Sequence, residues 1–326
     1  MKIKRLVIEN FKSIKRIELI EPNPFTVFVG PNGSGKSNIF EALEFVNLSA
    51  KTDRGTVESL FGGKDHFVNR KNDSDTVQVE VDLENSKVRL VQHPNTTNQQ
   101  EYSIRGTHWG NEDRSESQQL VANFSRLFIG RKDKQKLNFS DNYQLTLSAS
   151  NLEKVLERVL STEKLKDEVF EWLELFVPEF KAVDVVTNSF DGRETLLWYE
   201  QHSDKPFTKD LISDGIFNIL ALLTAVYQSD DKPQFLCIEE PEVGLHPQVA
   251  RELIDFFRTM CEERGHYIWL NTHSQSMVSR VRPEELVIVE KKQGATTARQ
   301  FKKEDFHGMR VDEAWLTNTL GGGLAW

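Results

Sequence analysis

Three runs of residues in this chain of 326 carry groups able to handle a phosphate chain, a metal ion and a water. Gly30-Pro31-Asn32-Gly33-Ser34-Gly35-Lys36-Ser37 meets the pattern G-x-x-x-x-G-K-S at every fixed position. Gly33 and Gly35 let the backbone turn successive N–H groups inward, making a nest for phosphate oxygens at the positive end of the following helix. Asn32 and Ser34 complete that loop. Lys36 reaches the β- and γ-phosphates, and Ser37 offers a hydroxyl to Mg²⁺, a small ion that demands octahedral oxygen coordination. The chemistry implied is binding and hydrolysis of ATP, and the strand and helix patterns on either side weigh against a chance match.

The second run is Phe235-Leu236-Cys237-Ile238 ending in Glu239-Glu240-Pro241-Glu242. Carboxylates at the carboxyl end of a buried strand in an open α/β sheet face the crevice where ligands bind. Glu239 suits a Mg²⁺ ion held through its waters, and Glu240 suits the polarisation of an attacking water. The third run, Asn271-Thr272-His273-Ser274, puts the His273 imidazole at the end of another apolar segment, within reach of a γ-phosphate. Upstream, Ser213 and Gly215 of Leu211-Ile212-Ser213-Asp214-Gly215 open a helical pattern, an anion-receptive place. Each has a plainer alternative: a strand end that exposes charge, a structural histidine, an ordinary serine cap.

Elements must position these groups. Lys2 to Glu9 and Ile14 to Ile20 alternate as strands, Pro22 and Pro24 interrupt, and Phe25 to Val29 is an apolar strand running into the glycine loop. Ile39, Phe40, Leu43 and Val46 then recur at helical spacing. From Lys51 to Tyr143 the pattern weakens into short strands such as Thr76 to Leu83, with Asn95 to Gln100 and Ser115 to Gln119 expected as polar loops. Two amphipathic helices follow, through Leu152 to Leu160 and Val169 to Phe176. The tail from Val287 is expected to hold an edge strand and a Gly321-Gly322-Gly323 turn before Leu324, Ala325 and Trp326. The fold class expected is α/β, a P-loop NTPase with an N-terminal mixed β lobe and a small helical subdomain. The chain reads as one split domain: 1–140, helical 141–184, and 185–326.

Composition bounds the function. With 38% hydrophobic and 28% charged residues, the chain has an ordinary globular balance. It lacks a signal-peptide core and an apolar run of membrane-helix length, which predicts a cytoplasmic protein without membrane partners. Cys237 and Cys261 are expected as packing residues, being too few for a disulfide framework. The formal charge of -9 argues against indiscriminate coating of nucleic acid.

The order of the motifs resembles an ABC-type ATPase, and more narrowly the RecF, SMC-like and OLD-like group. The residues that carry the resemblance are Ile8-Glu9-Asn10-Phe11-Lys12-Ser13, the loop Gly30 to Ser37, Glu240-Pro241-Glu242 with Gly244-Leu245-His246-Pro247, and Thr272-His273-Ser274. It implies an ABC-ATPase-like architecture with ATP and Mg²⁺ as cofactors. Ser213, Asp214 and Gly215 match the signature that touches ATP held by a second copy, so two chains would sandwich two nucleotides in a homodimer, open to higher assembly. Glu240 matches the catalytic glutamate, Glu239 the metal-side acid, Gly244 to Pro247 the interface loop and His273 the switch histidine. The signature reads Ile212-Ser213-Asp214-Gly215 where transporters have LSGG, Glu239 stands where aspartate is commoner, and no glutamine takes the Q-loop role.

Between the two halves of the site the sequence has space for a lobe and two helices, which predicts no long heptad arms. After His273 no Asp-x-Asp pair occurs, so a Toprim nuclease is not expected; Asp73-Ser74-Asp75 lies in the wrong half. Two classes of function remain. One is a dimeric ATP switch that governs a separate effector, as the ATPase or sensor subunit of a bacterial anti-phage system. The other is a RecF-like repair ATPase that grips DNA through Lys2, Lys4, Arg5, Lys12, Lys15 and Arg16, or through Arg131, Lys132, Lys134 and Lys136.

Overall fold

The computed structural model describes residues 2–70, 76–92, 100–106, 115–129, 143–187 and 192–321. Asp73 to Asp75, most of the Asn95 to Gln100 stretch, the basic run Arg131 to Lys136 and the end from Gly322 lie outside them.

The N-terminal half builds an antiparallel wing around one loaded helix. Strands β1 (Ile3–Phe11) and β2 (Ile14–Ile20) form a hairpin, and β3 (Phe25–Val29) leads through the glycine loop into α1 (Lys36–Lys51). Short helices α2 (Arg54–Leu60) and α3 (Lys64–Phe67) return the chain to β4 (Val77–Leu83), β5 (Ser86–Gln92) and β6 (Gln100–Gly106), which meander beyond β1. Helix α4 (Ser115–Ala122) precedes β7 (Phe124–Leu127). The helical pair is α5 (Leu152–Leu160) and α6 (Glu163–Phe176), beside a three-stranded antiparallel sheet of β8 (Phe180–Thr187), β9 (Glu194–Glu200) and β10 (Phe207–Thr208). The last part alternates α7 (Asp214–Tyr227), β11 (Phe235–Glu239), α8 (Pro247–Arg264), β12 (Tyr267–Asn271) and α9 (Gln275–Val278). It closes with β13 (Leu286–Lys292), β14 (Ala295–Gln300) and α10 (Val311–Leu316).

The main sheet runs β6-β5-β4-β1-β2-β14-β13-β3-β12-β11-β7, and the strands from β13 to β7 pair in parallel. Their side chains alternate between two cores, as a period of two requires. Phe25, Val27 and Val29 face the core built with α5 to α8, whereas Phe28 faces α1. Leu236 and Ile238 join the first core, with Phe235 and Cys237 in the second. On the α1 side, Trp269 packs against Phe235 at 4.8 Å and Phe28 at 5.3 Å between ring centroids, and Phe28 meets Phe40 edge-on at 5.4 Å. Each such buried aromatic contributes about 1.5–3 kcal/mol by burial alone. Buried on both faces, β3, β11 and β12 hold their carboxyl ends, where the three motifs begin, in one fixed row.

Two expectations are corrected. Ser115 to Gln119 is not a loop but the first turns of α4, where the buried Ser117 hydroxyl donates to Ser86 Oγ at 2.5 Å and Leu120 enters the core. The C-terminal strand through Val287 to Val289 is no edge: β13 lies between β3 and β14, and Leu286 to Val289 are buried in unbroken succession. Such a run belongs to a strand covered on both faces. Among the described residues the edges of the main sheet are β6 and β7.

His266, fully buried between α8 and β12, has its pKa pushed down to about 4 by burial, with the charge of Arg264 adding to the effect. Its Nδ1 accepts from the Gln234 amide at 3.3 Å. The unfolded chain binds this proton near pH 6.5 and the native state does not, so stability is full above that pH and falls as pH drops toward 4. Urea midpoints should show a loss on the order of 3 kcal/mol over that window in excess of His266→Asn, whose Oδ1 can replace the acceptor. Parallel pH curves for the two proteins would refute it.

Candidate functional site

Gly35 caps α1 at φ 100° and Gly33 stands at φ 76°, so the loop turns as a nest demands. A Cβ on Gly35 would lie 2.2 Å from Thr296 Oγ1, which leaves glycine as the residue that fits. Thr296 Oγ1 donates to the Ser34 carbonyl at 2.8 Å and pairs with Ser13 Oγ at 2.6 Å, and Asn38 Nδ2 donates to that same Ser13 oxygen at 2.6 Å. The hairpin β1–β2 and strand β14 thus brace the loop from behind.

Lys36 is buried and donates to the Gly30 and Pro31 carbonyls at 2.8 and 3.2 Å. Burial pulls its pKa down to about 8, against the opposing influence of Glu240, Glu239 and Glu242. The Ser34 hydroxyl is buried with no partner among the described residues. A charged phosphate is a stronger acceptor for both than a neutral carbonyl, and the first-turn amides of α1 point the same way. The loop fits the triphosphate of a nucleotide.

Glu239 ends β11 at 2% exposure, yet it carries several partners. Its Oε2 accepts from Ser37 Oγ at 2.5 Å and from Asn271 Nδ2 at 3.1 Å. Its Oε1 accepts from Arg126 Nε at 2.7 Å. A hydroxyl and a carboxylate converging on one spot, both hard oxygen donors, fit Mg²⁺, which takes few protein ligands and fills the rest with water and phosphate oxygen. No group of three or more His, Cys, Asp or Glu among the described residues is arranged as an all-protein metal cage.

Glu240 follows at φ 49°, its amide held by the Asn271 carbonyl at 2.9 Å and side chain Oδ1 at 3.1 Å. That left-handed backbone swings Glu240 away from the buried path of Glu239. Glu242 Oε1 accepts from Thr272 Oγ1 at 2.6 Å and the His273 amide at 2.9 Å, so this turn is tied to the histidine loop. His273 itself is exposed; partial burial of its ring and then the nearby Lys36 charge lower its pKa.

Ser213 is the exposed N-cap of α7 and accepts from the Ile216 amide at 3.2 Å. Gly215 lies under Gly244, whose carbonyl would meet a Cβ at 2.6 Å, and Asn218 Nδ2 donates to the Val243 carbonyl at 2.6 Å. Gly215 therefore sits against the Gly244 turn, with the Ser213 cap beside it. The N-terminal basic run is largely neutralised: Lys4 pairs with Glu21 and Glu84, Arg5 with Glu18, Lys12 with Glu41 and Arg16 with Glu18. No helix among the described residues is long and apolar enough to cross a membrane.

Comparison with solved structures places this architecture. An Smc head bound to the C-terminal winged-helix domain of ScpA superposes with a TM-score of 0.64 at 18% identity, covering 93% of this chain and 98% of that one. The Pyrococcus furiosus Smc head with an extended coiled coil gives 0.61 at 16% identity, covering 94% and 98%. Fold and site together define an ATP-hydrolysing P-loop enzyme of the ABC type. In sequence, the chain is 34% identical over 116 residues to the chromosome partition protein Smc of Halothermothrix orenii, and 52% identical over 44 residues to that of Methanocaldococcus jannaschii. These stretches are 32% and 14% of this chain but 10% and 4% of those proteins, so the chain spans a small part of the relatives' length. The chain belongs to the family described as "AAA domain, putative AbiEii toxin, Type IV TA system", whose profile matches residues 25–279.

Because Lys36 must be protonated to pair with a phosphate, and its ligand-free pKa lies near 8, ATP affinity should hold steady below that pH and fall by up to about tenfold per unit above it. Lys36→Ala should weaken binding about 10- to 100-fold, the loss of a charge-assisted hydrogen bond, and abolish the slope. Fluorescence titration of a labelled ATP from pH 7 to 9.5 reads both; a flat wild-type curve refutes the assignment.

Proposed function

We propose that the chain is a homodimeric ATP switch, the ATPase or sensor subunit of a bacterial anti-phage system whose toxic chemistry resides in a separate effector. The observation that carries the reading is the placement of Ser213 and Gly215. Ser213 is exposed and Gly215 half-buried on the Gly244 turn, with Leu211 69% exposed and Val243 43% exposed nearby in the chain. A second copy, presented head to tail, brings this helix N-terminus to the γ-phosphate held by Lys36 and covers the exposed apolar residues. The chain then acts as one split domain, 1–140 and 185–326 around the subdomain 141–184.

In this reading Asn32 to Ser37 wrap the phosphates, and Ser37 with Glu239 holds Mg²⁺, which when bound neutralises charge on the β- and γ-oxygens. Glu240 accepts the proton of the attacking water, and His273 orients the γ-phosphate. ATP-bound and released dimers differ in the order of these loops, and an effector that binds one of them better is gated by hydrolysis. Two findings support the setting. The family description itself names a toxin–antitoxin system, and the related Smc heads were solved bound to a domain of ScpA, a precedent for docking a separate protein. The ion pairing of Lys4, Arg5, Lys12 and Arg16 favours this reading over a direct grip on DNA through the N-terminal run.

Glu240→Gln should bind ATP normally, hydrolyse it at least 100-fold more slowly and accumulate a dimer, while Ser213→Arg should bind ATP as a monomer with hydrolysis near background. Light scattering coupled to gel filtration, with and without ATP, distinguishes them. Wild-type turnover by Ser213→Arg would rule out the sandwich.

A further inference from the structure

Arg126 is a charged residue inside an apolar strand, and its side chain is 2% exposed. It sits on β7, which pairs in parallel with β11 so that Cys237 lies opposite it. Its guanidinium reaches across to the carboxylate two residues further along β11: Nε donates to Glu239 Oε1 at 2.7 Å and Nη2 donates to the same oxygen. On its other side Nη1 donates to Glu44 Oε2 at 2.6 Å, and Nη2 lies 3.6 Å from Glu41 Oε1. Glu41 and Glu44 stand three residues apart on one face of α1, the helix that starts at Lys36. One guanidinium therefore ties the acid of β11 to the helix of the phosphate loop.

The consequence is a divided carboxylate. Oε1 is committed to Arg126, and Oε2 alone faces Ser37 and Asn271. A glutamate has one more rotatable bond than an aspartate, so its head needs a second anchor to occupy one place. The planar fork of an arginine supplies that anchor in a way the point charge of a lysine does not. Burial of Glu239 without such a partner would be costly, but ion pairing alone could have been met anywhere around the carboxylate. Here it is met on the side away from Ser37.

We propose that Arg126 is a positioning residue for the metal side of this site: it pins Oε1 of Glu239 so that Oε2 is presented to Ser37 and the Mg²⁺ water shell, and it sets that oxygen's distance from the phosphate loop through Glu41 and Glu44. This rests on the reading of Ser37 and Glu239 as the Mg²⁺ side. The fork differs from a structural ion pair in what its loss moves.

The test uses Arg126→Lys, Glu44→Gln and Ser37→Ala in the full chain, with three readouts: thermal unfolding, binding of a fluorescent ATP in EDTA, and the Mg²⁺ concentration at half-maximal enhancement of that binding. Arg126→Lys should bind nucleotide in EDTA as wild type does and need about 10- to 100-fold more Mg²⁺, the usual scale for losing an outer partner of a metal ligand. Glu44→Gln, which loosens the guanidinium without uncovering Glu239, should shift the Mg²⁺ midpoint the same way by a smaller factor. An unchanged midpoint in whichever of these two variants folds, even with a lowered melting temperature, overturns the proposal and leaves Arg126 a structural ion. An unchanged midpoint in Ser37→Ala overturns the metal reading itself instead.

Discussion

A carboxylate at the end of a fully buried strand has to be satisfied by whatever the surrounding elements bring, and Glu239 sets that demand for this fold. Desolvating it without partners would cost several kcal/mol. Three elements meet it: α1 through Ser37, β12 through Asn271 and β7 through Arg126. Each must arrive at a fixed height beside β11, and the parallel ladder β3-β12-β11-β7 supplies that alignment. Asn271 also holds the amide of Glu240, so the residue that satisfies the buried acid also shapes the half-buried one that follows it. The two cores on either face keep the ladder from shifting, because Phe28, Trp269 and Phe235 interlock beneath α1.

Much of this was legible from the chain alone, and for a physical reason. Phosphate binding needs glycines, a lysine and a hydroxyl at set spacing, so the loop from Gly30 to Ser37 announces itself in any fold that hosts it. Glu239 and Glu240 were readable because they follow an apolar strand abruptly. Arg126 was not, since a single cation in Phe124-Ser125-Arg126-Leu127 reads as an interruption until Glu239, 113 residues on in sequence, is seen beside it. Helix α4 escaped because only 8 residues form it and few of them are buried, too short a window for helical periodicity to show. The C-terminal strand was misplaced although its signal was present: Leu286 to Val289 is an unbroken apolar run, the mark of an interior strand rather than an edge.

The two ends of the molecule's chemistry are joined by a short path. Gly215 and Gly244 touch so closely that no side chain fits between them, and Asn218 holds the Val243 carbonyl from the same helix. Two residues before Gly244, Glu242 grips Thr272 and the amide of His273. A displacement of the first turn of α7 therefore bears directly on the turn that follows Glu240, and through Glu242 on the histidine loop. The Gly215–Gly244 contact at the start of this path is backbone on backbone and leaves little compressible space there. On the reading that a second copy's nucleotide rests on Ser213, this path makes the Glu240 and His273 of one site respond to the occupancy of the other. Hydrolysis in the pair would then be coordinated by packing already present in the single chain, before any dimer forms.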